Sequence, residues 1–351
     1  MTRPHTVDCH THILGEEAMR RLARESAKVA PVMDRRGEAA CKLMIGGAVV
    51  QDPFPRELWD GERRLADMDR NGVDVQVLAP TVFTFFYQHE PALGLACAAL
   101  QNDEIAAEIK RHPARFVGLA GVPLQAPELA AQELARAMTE LGLRGAMIGS
   151  NVNGRNLDDA ALEPFWTAAA ALGAFIFVHP HAGAAGERLG AYYLKNLVGL
   201  PFETTVAGAS LVFGGVIERH PDLKICLAHG GGFLPYQAGR LRHGFALRPE
   251  AKVNLRRPPE ESIGRLFYDT ILHSGPTLEF LIASAGADHV LLGSDYPFDM
   301  GNLDCAARVA ALAIAPADRD LILGGYADRL LEHDPEKRPP VFGQDHAPTM
   351  G

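Results

Sequence analysis

Eight short apolar runs alternate with amphipathic stretches along this chain, and four of those runs stop at a His or an Asp; together these observations predict an α/β fold, a TIM (β/α)8 barrel with a small inserted cap after the first strand. At 351 residues and 47% hydrophobic, the chain has ample apolar material for one such core. In this architecture catalytic groups sit at the C-terminal ends of the strands, which is where the four polar motifs fall.

The strands are expected at 6–10, 73–79, 116–122, 145–148, 174–179, 224–229, 266–270 and 290–295. Helical spacing of apolar residues fills the intervals at 61–71, 92–112, 127–141, 159–172, 204–220, 233–245 and 276–285, followed by a pair near 302–313 and 316–331. Local signals support several of these: Asp158-Asp159 at a first turn, and stops at Asn71-Gly72, Gly173 and Gly286. Residues 14–58 break the repeat. They leave the end of the first strand, carry a β-like run at 42–50 and a Pro-rich exit (Asp52-Pro53-Phe54-Pro55), and are expected to form a cap over the substrate pocket. One domain is expected over 1–334, with an irregular tail at 335–351 that carries Pro335, Pro339, Pro340 and Pro348.

Thirty-four basic against 43 acidic residues give a net charge of −9, which disfavours an electrostatic role on nucleic acid or anionic lipid. No stretch reads as roughly 18 uninterrupted apolar residues, and the first residues lack the pattern of a secretory signal, so no membrane partner and a cytoplasmic location are expected. Five widely spaced cysteines without a Cys-x-x-Cys fit reduced thiols.

Asp8-Cys9-His10-Thr11-His12 carries the most chemistry. Side chains two apart on a strand share a face, so His10 and His12 project together, about 7 Å apart by strand rise. His179 ends the fifth strand and Asp295 the eighth, giving three imidazoles and a carboxylate, a donor set that suits zinc and other divalent first-row ions. A two-metal site would need a bridging group from strand four, usually a modified lysine. No lysine occurs between Lys110 and Lys195, so one ion is expected. His229, before Gly230-Gly231-Gly232, would crowd the metal as a fifth ligand and is read instead as the general acid/base. Asp295 is expected to act in catalysis as well as coordination, by orienting His229 or water.

The chain resembles the amidohydrolase superfamily, in its amidohydrolase-related branch. The resemblance rests on Asp8–His12, Leu58-Trp59-Asp60, Met68-Asp69, 72–77, Val122-Pro123-Leu124-Gln125, 156–159, Val178-His179-Pro180, 197–201, His229–Gly232, Gly239-Arg240 and 292–298, and so spans nearly the whole predicted barrel. Within the branch it is most similar to the α-amino-β-carboxymuconate-ε-semialdehyde decarboxylases. This implies one divalent ion, most often zinc and in some relatives manganese, no organic cofactor, and non-oxidative decarboxylation. It also implies a homodimer in which Arg240 lies near the interface and holds a substrate carboxylate. Departures point to a changed acid: Asp52 falls where those relatives have a carboxylate-binding arginine, Ala48 lies near the place of a lysine, and Arg56 is a candidate replacement from the same loop. Tyr192 stands for a bulky indole, Tyr326 for an asparagine, and His181 is an extra imidazole two residues past His179.

The function expected is a metal-dependent decarboxylase of a small unsaturated or aromatic amino or hydroxy acid, with metal-bound water and His229 supplying proton transfer. A hydrolase of the same fold, acting on a lactone, amide or carbon–carbon bond, is the alternative. A catalytically silent binding subunit is a third class, disfavoured by retention of every ligand and of His229.

Overall fold

The structure, a computed structural model, describes residues 5–35, 41–181 and 187–331. All eight expected strands form: β1 (Val7–Ile13), β2 (Val75–Pro80), β3 (Phe116–Gly118), β4 (Gly145–Gly149), β5 (Phe175–His179), β6 (Lys224–Leu227), β7 (Phe267–Asp269) and β8 (Val290–Leu291). They pair in parallel as two sheets, in the order β1-β2-β3 and β4-β5-β6-β7-β8. Backbone hydrogen bonds cross from one sheet to the other on both sides. Met147 N–H donates to the Ala120 carbonyl at 2.9 Å, and Asp295 N–H to the His10 carbonyl at 2.8 Å, beside parallel bridges Ala120–Ala146 and Thr11–Tyr296. β5 is buried along its whole length, as expected of a parallel strand covered on both faces.

The helices keep their order with shifted ends. Gly61–Asn71 matches its expectation, because Asp60 caps the N-terminus by accepting from Arg63 N–H and Gly72 ends the helix in the left-handed region. The stretch expected at 204–220 instead starts earlier, as Leu200–Phe213 after a wide turn at Lys195–Gly199, and stops before Gly214-Gly215; a short Val216–Arg219 follows. Gly215 has φ +72, and a Cβ there would lie 2.6 Å from the Asn254 carbonyl, so the chain turns where apolar periodicity would have continued. Lys195–Phe213 is the one stretch among the described residues long and apolar enough, by length and composition, to cross a membrane. Here Ala207, Leu211 and Val212 sit in the core, and its buried Glu203 accepts hydrogen bonds from Ser150 and Asn151. The last stretch, expected at 316–331, divides into Pro316–Asp320, Leu321–Gly325 and Ala327–Leu330 around Gly324-Gly325.

Residues inserted after β1 form a helix, Glu16–Glu25, and an antiparallel sheet of Pro31–Arg35, Cys41–Ile45 and Ala48–Gln51. The single β-like run expected at 42–50 is thus a hairpin. Gly46 (φ +57) and Gly47 (φ +83) make its two-residue turn between the paired Ile45 and Ala48. Leu14, Leu22, Leu43, Phe54 and Leu58 give the insertion a small core of its own, shared with Phe86 and Leu100. The tail expected to be irregular, 335–351, lies outside the described residues.

Candidate metal centre

β1 delivers His10 and His12 from one face, as the period of two requires, and the ends of β5 and of the segment after β8 bring His179 and Asp295 to them. One donor atom from each of the four lies within 4.8 Å of every other, and all four residues are buried. His10 Nε2 is 3.3 Å from His12 Nε2 and 3.3 Å from Asp295 Oδ1, while His12 Nε2 is 3.1 Å from the same oxygen and His179 Nε2 is 4.0 Å from it. Asp295 reaches this position with φ +58, a left-handed backbone that a non-glycine residue adopts at a cost of about 1–3 kcal/mol, typically where function fixes it.

Whether these residues fit a metal is decided on the opposite edges of the rings. The Nδ1 of His10 faces Asp269 Oδ2 at 2.7 Å, that of His12 the Pro80 carbonyl at 3.2 Å, and that of His179 the Pro180 carbonyl at 2.9 Å. Each partner is an acceptor, so each Nδ1 carries the proton and each Nε2 presents a lone pair to the shared point. Lone pairs and a carboxylate oxygen 3.1–3.3 Å apart repel unless positive charge lies between them, either a second proton on His10 or a metal ion that displaces it. His179 Nε2 is buried with no hydrogen-bond partner in the protein. The four residues therefore form a metal-binding site with three nitrogens and one oxygen as donors.

Proton affinities express the same demand for positive charge. Burial opposes charging His10, but the Asp295 carboxylate and the Asp269 hydrogen bond outweigh it and raise its pKa to about 10. Burial lowers His12, and burial together with the charges of His10, His12 and His229 holds His179 well below the usual imidazole range. Asp295 stays well below the carboxylate range despite its burial, because the charge of His10 and the hydrogen bond from His10 favour the anion. Deeper in, buried Asp8 accepts from the backbone N–H of His10 at 3.2 Å and of Ser294 at 3.0 Å, tying β1 to the segment that carries Asp295; burial pushes its pKa up to about 6. Buried Arg64 donates to the His12 carbonyl and, at 3.0 Å, to Gln76 Oε1.

His229 stands on the rim of the cluster with φ +55, its Nε2 3.6 Å from Asp295 Oδ2. The three glycines after it are fixed by close approach: a Cβ on Gly230 would meet Leu272 at 2.5 Å, on Gly231 the Tyr268 ring at 2.6 Å, and on Gly232 the Pro201 carbonyl at 2.1 Å. His179, His229 and Asp295 open onto a cavity of about 650 Å³ whose wall includes Phe83, Tyr193, Leu197, Tyr236, Leu272 and Phe298, with Val50 and Gln51 from the insertion.

None of the residues read from the sequence as substrate-binding is among the described residues of the cavity wall in the single chain. Arg240 is exposed on the helix Ala238–Leu247. Asp52 is exposed next to cavity-lining Gln51, and Arg56 is exposed with its Nε 3.0 Å from Asp60 Oδ2. Tyr192 is 87% exposed, and its neighbour Tyr193 is the one on the cavity wall. His181 packs edge-on against Phe85 and Tyr87, with ring centres 5.4 and 5.8 Å away. Sequence reasoning missed Asp269, which ends β7 beneath His10. An acidic residue closing an apolar run, at the same strand end as the other motifs, was the available signal.

A family model described as amidohydrolase matches residues 7–332. Among curated proteins, the 2-amino-3-carboxymuconate-6-semialdehyde decarboxylase of Dictyostelium discoideum is 38% identical over 334 residues, covering 94% of this chain and 92% of that protein. Among solved structures, 5-carboxyvanillate decarboxylase LigW from Sphingomonas paucimobilis superimposes with a TM-score of 0.80 at 26% identity, over 94% of this chain and 99% of its own. The dihydroxybenzoic acid decarboxylase of Polaromonas sp. JS666, solved with bound manganese and the inhibitor 2-nitroresorcinol, gives 0.76 at 25% identity, over 94% and 97%.

Proposed function

The chain belongs to the amidohydrolase family and is a carboxy-lyase of that superfamily; from this premise we propose that it is a metal-dependent, non-oxidative decarboxylase of a small unsaturated or aromatic acid bearing an amino or hydroxyl group. The observation that carries this reading is the placement of His229 between the donor cluster and a mostly apolar cavity walled by Phe83, Tyr193 and Phe298, which suits a flat ring. His10, His12, His179 and Asp295 would hold one divalent ion. Three imidazoles and a carboxylate favour zinc, whereas the Polaromonas relative carries manganese. When bound, the ion supplies positive charge and Lewis acidity at the cavity floor.

His229 acts as the acid. It gives a proton to the carbon that bears the carboxylate; the bond to that carboxylate then breaks, its electron pair restores the conjugated system, and carbon dioxide leaves. One proton thus replaces one carbon dioxide, and His229 is recharged from solvent through the open cavity. Asp295 Oδ2 faces His229 Nε2 and orients it.

The two sheets belong to one eight-stranded barrel within a single domain spanning 1–334, a reading supported by the hydrogen bonds at both seams. Residues 14–58 cap its mouth, supported by Val50 and Gln51 on the cavity wall, and Asp52 sets the charge beside them. Among the described residues that wall carries no Lys or Arg, so charge pairing to a second carboxylate falls to Arg240 of another copy in a homodimer. Exposed Tyr192, Leu197, Phe202 and Phe233 supply apolar surface for that contact. Five free cysteines fit a cytoplasmic setting.

Product analysis on a panel of aromatic and muconate-like acids tests the reading. Carbon dioxide released one-for-one with acid consumed, without oxygen from labelled water in the organic product, is expected. Incorporation of that oxygen without carbon dioxide would instead establish a hydrolase.

A further inference from the structure

Asp269 touches both halves of the proposed machinery. Its carboxylate is fully buried at the end of β7 and accepts four hydrogen bonds. Oδ2 takes His10 Nδ1–H at 2.7 Å and the backbone N–H of His229 at 2.9 Å; Oδ1 takes the backbone N–H of Gly230 at 2.8 Å and of Ile271 at 3.0 Å. Every neighbour is a donor, so only an ionised carboxylate satisfies the position. His229, by contrast, has little else to hold it. Among the described residues its buried Nδ1 has no hydrogen-bond partner, its backbone sits at φ +55, and its Nε2 lies 3.6 Å from Asp295 Oδ2.

We infer that Asp269 is the positioning residue that couples metal binding to acid placement: one carboxylate fixes the His10 tautomer that exposes Nε2 and anchors the turn that seats His229. This rests on the reading of His229 as the acid, while its effect on the metal does not.

Asparagine at 269 keeps the shape but turns an NH2 toward one pair of donors. The Oδ1 partners, Gly230 and Ile271 N–H, can only donate, so the NH2 takes the Oδ2 side, where His10 can relieve the clash by presenting Nδ1 as acceptor and moving its proton to Nε2, the atom whose lone pair the metal needs. Asp269→Asn is therefore expected to weaken Zn2+ affinity, measured by competition with a chromophoric chelator, by about 10- to 100-fold. With the ion then raised to saturation, kcat should stay at least about 10-fold below wild type with KM little changed, because the His229 turn has lost its anchor. Affinity within threefold of wild type overturns the inference. Weakened affinity with kcat fully restored at saturation overturns the coupling to His229 alone. Loss of saturated kcat in Asp269→Asn, in a protein where His229→Ala retains full turnover, would refute the acid assignment instead. A measurement on the wild-type protein guards against a misfolded variant: nitrogen-15 histidine spectra of the Zn2+-loaded enzyme should show His10 protonated at Nδ1, and protonation at Nε2 overturns the inference.

Discussion

Replacing His179 with alanine tests the metal centre most directly. Its Nδ1 is engaged by the Pro180 carbonyl and its Nε2 has no partner in the protein, so the lone pair that converges on Asp295 serves only a cation. Four-donor zinc sites in small domains are worth about 10–16 kcal/mol, so an even share for one donor is roughly 2.5–4 kcal/mol, or roughly 10²- to 10³-fold in Kd. Chelator competition should show that loss, and elemental analysis should find one ion per chain in the wild type. The metal-dependent gain in melting temperature should shrink in parallel, because an ion that binds only the folded state stabilises in proportion to its affinity. Two ions per wild-type chain, or a His179→Ala affinity within threefold of wild type, would refute the reasoning.

His229→Ala should retain the ion and lose turnover by about 100-fold or more, since a positioned acid is removed but no donor is; loss of metal along with activity would make His229 a ligand. Metal affinity should rise with pH up to about 10, because His10, held up to about 10 by Asp295 and Asp269, must give up its proton, whereas lowered His12 and His179 are already neutral. Calorimetry in buffers of different ionisation enthalpy should count about one proton released per ion near pH 8, and a count of zero would contradict this. The sign reverses for the metal-free fold: a raised His10 adds stability that is complete below its unfolded pKa of about 6.5 and lost as pH climbs through about 10. Arg64→Met should cost about 3 kcal/mol in denaturant unfolding, because the His12 carbonyl and Gln76 lose a buried donor; a cost below about 0.5 kcal/mol would mean that water replaces it.

Much of the site was legible before any coordinates. His10 and His12 share a face because a strand has a period of two, and β-α alternation puts strand ends 1, 5 and 8 on one side, so His179 and Asp295 follow. Helix stops were legible where one residue decides them, as at Gly72. Where several local forces competed, the pattern misled. The apolar run at 42–50 was interrupted by two glycines whose positive φ values fold it into a hairpin, and 316–331 kept its periodicity across a Gly-Gly break. Tyr192 and Tyr193 are adjacent with φ of +56 and +59, and nothing in their order shows which one faces the cavity.

The sequence by itself determined the donor chemistry: which residues end the strands, how many imidazoles and carboxylates they offer, and that no lysine stands ready to bridge a second ion. Those facts depend on residue type and local period alone. Only the tertiary structure decided that Asp269, 259 positions away, supports His10 and the His229 turn together, and that the cavity wall is aromatic and without a described Lys or Arg. Such contacts join the ends of strands that are neighbours in space but remote in the chain. The geometry between them is set by how the two sheets meet, a property that no local window of residues contains.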